Sequence, residues 1–125
     1  MVLTIHDENT GAPAATARLF TLPDAKMTAR ELIRQRVMHE VRQYNDSPTE
    51  PFLGLVKLSD EELASNSAKR LLDPERQVSK AFESFRQNGF ALRVDGALVE
   101  SLDQELQLSA NSQISFVRLS PVAAG

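Results

Sequence analysis

Hydrophobic and polar positions alternate with a period of two over residues 2–6. Leu3 and Ile5 fall on one face and Val2, Thr4 and His6 on the other, as in a half-buried strand. The run Asp7, Glu8, Asn9, Thr10, Gly11 is rich in residues that tolerate left-handed backbone and predicts a turn. Residues 15–22 read as a second strand, with Phe20 and Leu22 as core candidates. Close strands with a Gly-containing connection predict a hairpin, with Pro13 in the connection because proline is poorly tolerated inside a ladder.

After Pro23 and Asp24 the period becomes helical. Thr28 and Glu31 are spaced as a capping box, with Met27 and Leu32 at staple positions. Ile33, Val37, Val41 and Tyr44 form one buried stripe, widened by Leu32 and Met38, while Arg30, Arg34, Glu40 and Arg42 are expected to face water. Asn45, Asp46, Ser47 and Pro48 stop this helix. Residues 46–72 carry no sustained period: Phe52-Leu53-Gly54-Leu55-Val56 is a short apolar run, a strand or a plug over the core, and Ser59 with Glu62 repeats the capping-box spacing.

Asp73-Pro74-Glu75 is a helix start: an Asx cap, proline at the first position, then an acid near the positive end of the dipole. Val78, Ala81, Phe82 and Phe85 follow at helical spacing, and Asn88-Gly89 is a left-handed stop. Phe90, Leu92 and Val94 alternate with Ala91 and Arg93 in a strand, Asp95-Gly96 makes a tight turn, and Leu98-Val99 a short return. Leu102, Leu106 and Leu108 predict a short irregular or helical segment, residues 109–112 turn the chain, and Ile114 and Phe116 enter the core from a last strand. The resulting order is strand, strand, helix, insert with a second helix, strand, short strand, turn, strand, an α+β arrangement.

With 125 residues, 42% hydrophobic and 25% charged, the chain has the size and balance of one globular domain. It has no cysteine, which excludes a disulfide scaffold, a thiolate metal site and a cysteine nucleophile. A net charge of -3 gives no electrostatic footprint for nucleic acid. Neither a signal-peptide pattern nor a membrane-spanning run is present, so no membrane association and a cytoplasmic setting are expected. His6 and His39 have no ligand-spaced neighbours and read as surface residues, and no metal site is expected. Asp60, Glu61 and Glu62 read as a helix N-terminus, Asp103 and Glu105 as a solvated turn, and Phe82, Phe85 and Phe90 as core. No phosphate loop, nucleophile elbow or kinase signature appears, so the chain is not expected to be an enzyme.

This order of elements resembles the β-grasp fold of ubiquitin-like proteins, in which a mixed sheet packs on a central helix. The leading hairpin and the threonine-capped helix resemble its first half. Leu92-Arg93-Val94-Asp95-Gly96-Ala97-Leu98-Val99 resembles its third strand, glycine turn and short fourth strand, and Leu102-Asp103-Gln104-Glu105-Leu106 the turn beneath its helix. Ile114-Ser115-Phe116-Val117-Arg118-Leu119 and the small tail resemble its last strand and conjugation tail. The likeness covers residues 1–45 and 90–125 and is nearest to bacterial ubiquitin-like proteins encoded beside activating- and conjugating-enzyme-like proteins. The chain departs from the minimal fold at residues 46–89, an insert carrying an extra helix, so that residues 1–119 read as one elaborated domain and 120–125 as a flexible tail.

The resemblance implies a protein modifier. The carboxylate of Gly125 is the conjugation site, adenylated by an activating enzyme that uses ATP and then passed to a target protein; the chain itself needs no cofactor. Ala123 and Ala124 would thread the enzyme's channel, and Pro121 and Val122 would set the exit of the tail. Ala124 stands where many relatives have a second glycine, and its methyl group restricts the backbone and adds bulk at that place. Two other readings share the fold: a sulfur carrier with a C-terminal thiocarboxylate, and a non-conjugated interaction or adaptor module. Phe52, Leu53 and Leu55 of the insert, with Arg93 and Val117 on the outer face of the sheet, are the candidate partner surface, and the insert also offers a surface for self-association. Of Arg93, Ser115 and Val117, the outward residues by alternation, only Val117 is apolar, so the apolar patch common on ubiquitin-like sheets is expected to be absent. Lys57 and Lys69 in the insert are the expected acceptors if the chain is linked to itself, ahead of Lys26 and Lys80.

Overall fold

The structure, a computed structural model, describes residues 2–9, 16–46, 55 and 72–118. Its strands are β1 (Val2–Asn9), β2 (Thr16–Thr21), β3 (Lys26–Thr28), β4 (Phe90–Val94), β5 (Ala97–Leu98), β6 (Glu105–Gln107) and β7 (Gln113–Arg118). Among the described residues two helices, α1 (Ala29–Asp46) and α2 (Pro74–Arg86), lie between β3 and β4 in the chain. The main sheet has five strands in the order β2-β1-β7-β4-β5, and β3 pairs with β6 in a separate ribbon. The pairs β1–β2, β4–β5 and β4–β7 are antiparallel, while β1 and β7 run parallel at the centre. The first and last strands of the chain therefore lie side by side, and the molecule is α+β with a mixed sheet.

The core sits between this sheet and α1. Leu3, Ile5, Leu92, Ile114 and Phe116 supply the sheet side, and Leu32, Ile33, Val37, Val41 and Tyr44 the helix side, all buried. The expected stripe of α1 is thus the face that packs. Helix α2 adds Val78 and Ala81 to the same core, with Phe82 and Phe85 partly buried against it. Burial of this continuous apolar surface is the main stabilising term, at about 25 cal/mol per Å² removed from water.

Local signals explain the ends of the elements. Thr28 Oγ1 accepts the Glu31 N–H at 3.2 Å, while the Glu31 carboxylate accepts from Gln35 Nε2 at 2.9 Å, so one half of the expected capping box forms. The first two amides of α1 are taken by the segment leading into β6: Ala29 N–H donates to the Gln104 carbonyl and Arg30 N–H to the Leu102 carbonyl. Asp73 caps α2 by accepting the Glu75 N–H at 3.0 Å. The helix ends at Arg86; Asn88, two residues on, has the left-handed φ of 60°, and Gly89 N–H closes back on the Ser84 carbonyl. Asp95 and Gly96, at φ 51° and 84°, make the two-residue turn between β4 and β5.

Three expectations need correction. The run 7–11 does not turn at Asp7: β1 continues to Asn9, because Asp7, in phase with Leu3 and Ile5, is buried beside α1. Leu106 belongs to a strand, β6, paired with β3 through Met27, and not to a helical segment. Glu40 does not face water; only 5% of it is exposed. The second capping box at 59–62, and Phe52 and Val56, lie outside the described residues.

Candidate functional site

Strand β7 leads to the tail. Its last residue, Arg118, is in register with Phe90 of β4 on one side and Asn9 of β1 on the other. Pro121, Val122, Ala123, Ala124 and Gly125 follow and lie outside the described residues, as do Phe52 and Leu53.

Beside the root of the tail a groove of about 860 Å³ opens between the end of α2, the start of β4, β5 and the segment 99–103. Its lining is mixed: Phe85 and the nearly buried Phe90 and Val99 stand beside Arg30, Glu100 and Asp103. Phe90 is the hinge of this arrangement, being both the register partner of Arg118 and a wall of the groove. Its ring lies 5.8 Å from that of Phe85 and 6.0 Å from that of Phe116, which ties the groove to the core. Both arginines of the groove are engaged: Arg30 Nη2 lies 3.2 Å from the Asp103 carboxylate, its guanidinium 5.2 Å from the Phe82 ring centre, and Arg86 Nη1 3.4 Å from Glu83. Leu98 is left 54% exposed at the rim.

The outer face of the sheet carries a row in register across all five strands: Leu98, Arg93, Ser115, His6 and Ala17. Arg93 is exposed there, as the alternation predicts. Val117 is not: it is only 9% exposed, because it sits in a central strand between Glu8 of β1 and Ala91 of β4. The expected partner surface loses Leu55 as well. Leu55 is 6% exposed and belongs to the core. The plug reading of its apolar run fits this residue; the docking-surface reading does not. Exposed apolar side chains occur instead at Leu19 (74%), Leu98 and Val2.

Leu55 is held by a charged cluster that the sequence reading did not single out. Arg36, 1% exposed, reaches from α1 to β1 and donates to both carboxylate oxygens of Asp7, the Nη2–Oδ2 bond being 2.8 Å. Its Nε donates to Glu40 Oε1 at 3.3 Å, and the same oxygen accepts the Leu55 N–H at 3.2 Å. The guanidinium stacks 4.5 Å above the Phe116 ring. Burial works against the charge on Arg36, but the attraction of Glu40 and the hydrogen bonds and charge of Asp7 outweigh it, so its pKa lies above the ordinary arginine value. Two phases carry the signal for this cluster: Asp7 continues the Leu3, Ile5 alternation, and Arg36 sits three residues after Ile33 and four before Glu40.

His39 is exposed, with its ring 4.8 Å from that of Phe20. No cluster of three or more metal-ligating side chains occurs among the described residues, and none of their helices is long and apolar enough to cross a membrane. Comparison with known proteins finds no family model, no curated protein and no solved structure that matches this chain.

Proposed function

We propose that this chain is a β-grasp, ubiquitin-like protein modifier whose Gly125 carboxylate is adenylated by a partner activating enzyme and joined to a target protein. The observation that carries the reading is the strand order β2-β1-β7-β4-β5 with β1 and β7 parallel at the centre and α1 packed across one face. That is the arrangement expected of a β-grasp domain, built here by the strands in which the resemblance was found. It also makes the tail continue from a central strand, next to Phe90, so the folded domain gives the tail a fixed root. Seven residues, Leu119 to Gly125, lead from this root to the carboxylate, and their side chains are small or unbranched apart from Leu119 and Val122.

Adenylation replaces a poor leaving group by AMP. An enzyme nucleophile attacks the glycine carbonyl and AMP departs; the target's nucleophile then attacks the acyl-enzyme and the enzyme nucleophile departs. The partner enzyme supplies the catalysis, and the domain supplies recognition and delivery. A glycine carbonyl suits this chemistry because its own residue adds no side chain to obstruct the attack.

The test is expression of an N-terminally tagged chain in its native cells, with and without Gly125. The full chain forms ATP-dependent covalent products of higher mass; the Gly125 deletion forms none and unfolds at the same temperature. Products unchanged by the deletion would overturn the reading. The sulfur carrier gives a different result, an intact chain heavier by the difference between sulfur and oxygen.

A further inference from the structure

Asn88-Gly89 is the one asparagine–glycine pair in the chain, and such a pair is reactive. The backbone nitrogen of the glycine can attack the side-chain carbonyl carbon of the asparagine, closing a five-membered succinimide as ammonia leaves. Water then adds to either ring carbonyl and opens the ring, giving aspartate or isoaspartate. A side chain on the following residue crowds the attack, and glycine has none. We infer that Asn88 is a modification site of this kind and that the C-terminal closure of α2 gates it. The inference is independent of the modifier reading.

The closure itself is the first argument. Asn88, in left-handed backbone, donates its N–H to the Phe85 carbonyl at 3.2 Å, and Gly89 N–H donates to the Ser84 carbonyl at 2.7 Å. These are the two bonds of a Schellman stop. The second ties up the hydrogen that Gly89 must lose before its nitrogen can attack. The attacking atom is therefore held on Ser84, while Asn88 is exposed to water. The stop has to open before the ring can close, and helix ends open at low cost. A Cβ at Gly89 would collide with Ser84 Oγ, so the close turn asks for the same residue that makes Asn88 reactive.

The neighbouring candidates are better protected. Asn45 is held by both main-chain groups of Leu72, donating to the carbonyl at 3.1 Å and accepting the N–H at 2.9 Å. Asn9 and Asn111 precede Thr10 and Ser112, whose side chains crowd the attack. Asp95-Gly96 shares the glycine, but Asp95 Oδ1 accepts the Gln113 N–H at 2.7 Å. Conversion of Asn88 also has a consequence for the sheet. Isoaspartate lengthens the main chain by one methylene between residues 88 and 89, just before Phe90 opens β4 in register with Arg118. Aspartate puts a negative charge at the C-terminal end of α2, where the helix dipole opposes it.

The experiment incubates the purified full chain in mildly alkaline buffer, folded and in strong urea. Mass spectrometry follows the tryptic peptide Gln87–Arg93. Its products are heavier by the difference between a hydroxyl and an amino group, and chromatography separates isoaspartate from aspartate. Conversion should be about tenfold or more slower in the folded chain, as expected of a stop closed for about nine-tenths of the time or more. Phe85→Ala removes a ring that lies 5.8 Å from that of Phe90 at the last turn, and should speed conversion of the folded chain severalfold. Asn88→Gly keeps the left-handed stop and should leave this peptide unchanged. The converted chain, isolated by ion exchange, should unfold a few degrees below the unconverted one. Equal rates in the folded and unfolded parent would overturn the gate, and they decide the matter even if Phe85→Ala fails to fold. Conversion in urea no faster at Asn88 than at Asn45 or Asn111 would overturn the site. An unfolding temperature unchanged by conversion would overturn the consequence for β4.

Discussion

Arg36 makes the strongest single-residue demand on this fold. It is buried between two carboxylates, and the low-polarity surroundings that strengthen its attraction to Asp7 and Glu40 also make any unpaired member costly. Arg36→Met should destabilise the protein by about 3–5 kcal/mol, because it leaves two carboxylates buried without their cation. Replacing all three charges together with Met, Asn and Gln should recover much of that loss. Urea unfolding of the single and triple variants checks both statements; a single variant as stable as the parent would show that the cluster does not hold the sheet to α1. Gly96 is a smaller case. At φ 84° it occupies backbone that other residues adopt with strain, so Gly96→Val should cost about 1 kcal/mol or more by the same measurement, although its Cβ would meet no neighbour. The asparagine and glycine turn chemistry was legible in the sequence. The Arg36 cluster was not: an Arg and a Glu four apart on a helix ordinarily read as a surface pair, and only the sheet residue Asp7 and the Leu55 amide turn the pair inward.

Among the elements, periodicity located α1, α2, β1, β2, β4 and β7, because each presents a face whose apolar spacing matches its own repeat. It failed for β3 and β6, which have three residues each and pair only with one another. Too short to show a period, they are strands by virtue of a partner far away in sequence. The contact between α1 and α2 was likewise hidden. Arg34 reaches across to Glu75 through two hydrogen bonds, at 3.0 and 2.6 Å, on the exposed side of the helix pair. The hydrogen bond to Arg34 and its charge hold the Glu75 pKa below the ordinary glutamate value. A carboxyl with a lowered folded pKa adds stability above its unfolded pKa and loses it as pH falls through the folded one. The difference in stability between the parent and Glu75→Gln should therefore be present at neutral pH, shrink on acidification below the usual glutamate range, and also shrink in high salt. Thermal unfolding across pH reads it; a difference that grows on acidification would contradict the assignment.

At the scale of the whole molecule, strand order could be inferred only by resemblance, since alternation says which residues face inward but not which strands are neighbours. The five-strand order with parallel β1 and β7 supplies that missing information. It also redraws the candidate site. Leu55 is inside, Val117 is covered although it lies on the outer sheet face, Arg93 is exposed on that face, and Leu98 is the exposed apolar side chain of β5. The central claim, that Gly125 becomes linked to other proteins, has a direct signature in the sequence. Arg118 is the last basic residue, so trypsin cleavage after it would leave the seven residues Leu119 to Gly125 attached to any acceptor. Mass spectrometry of trypsin-digested protein from native cells should find this remnant on lysine side chains of target proteins, and should lose it when Gly125 is deleted. Abundant chain in those cells with residues 119–125 recovered only as a free peptide would contradict the account.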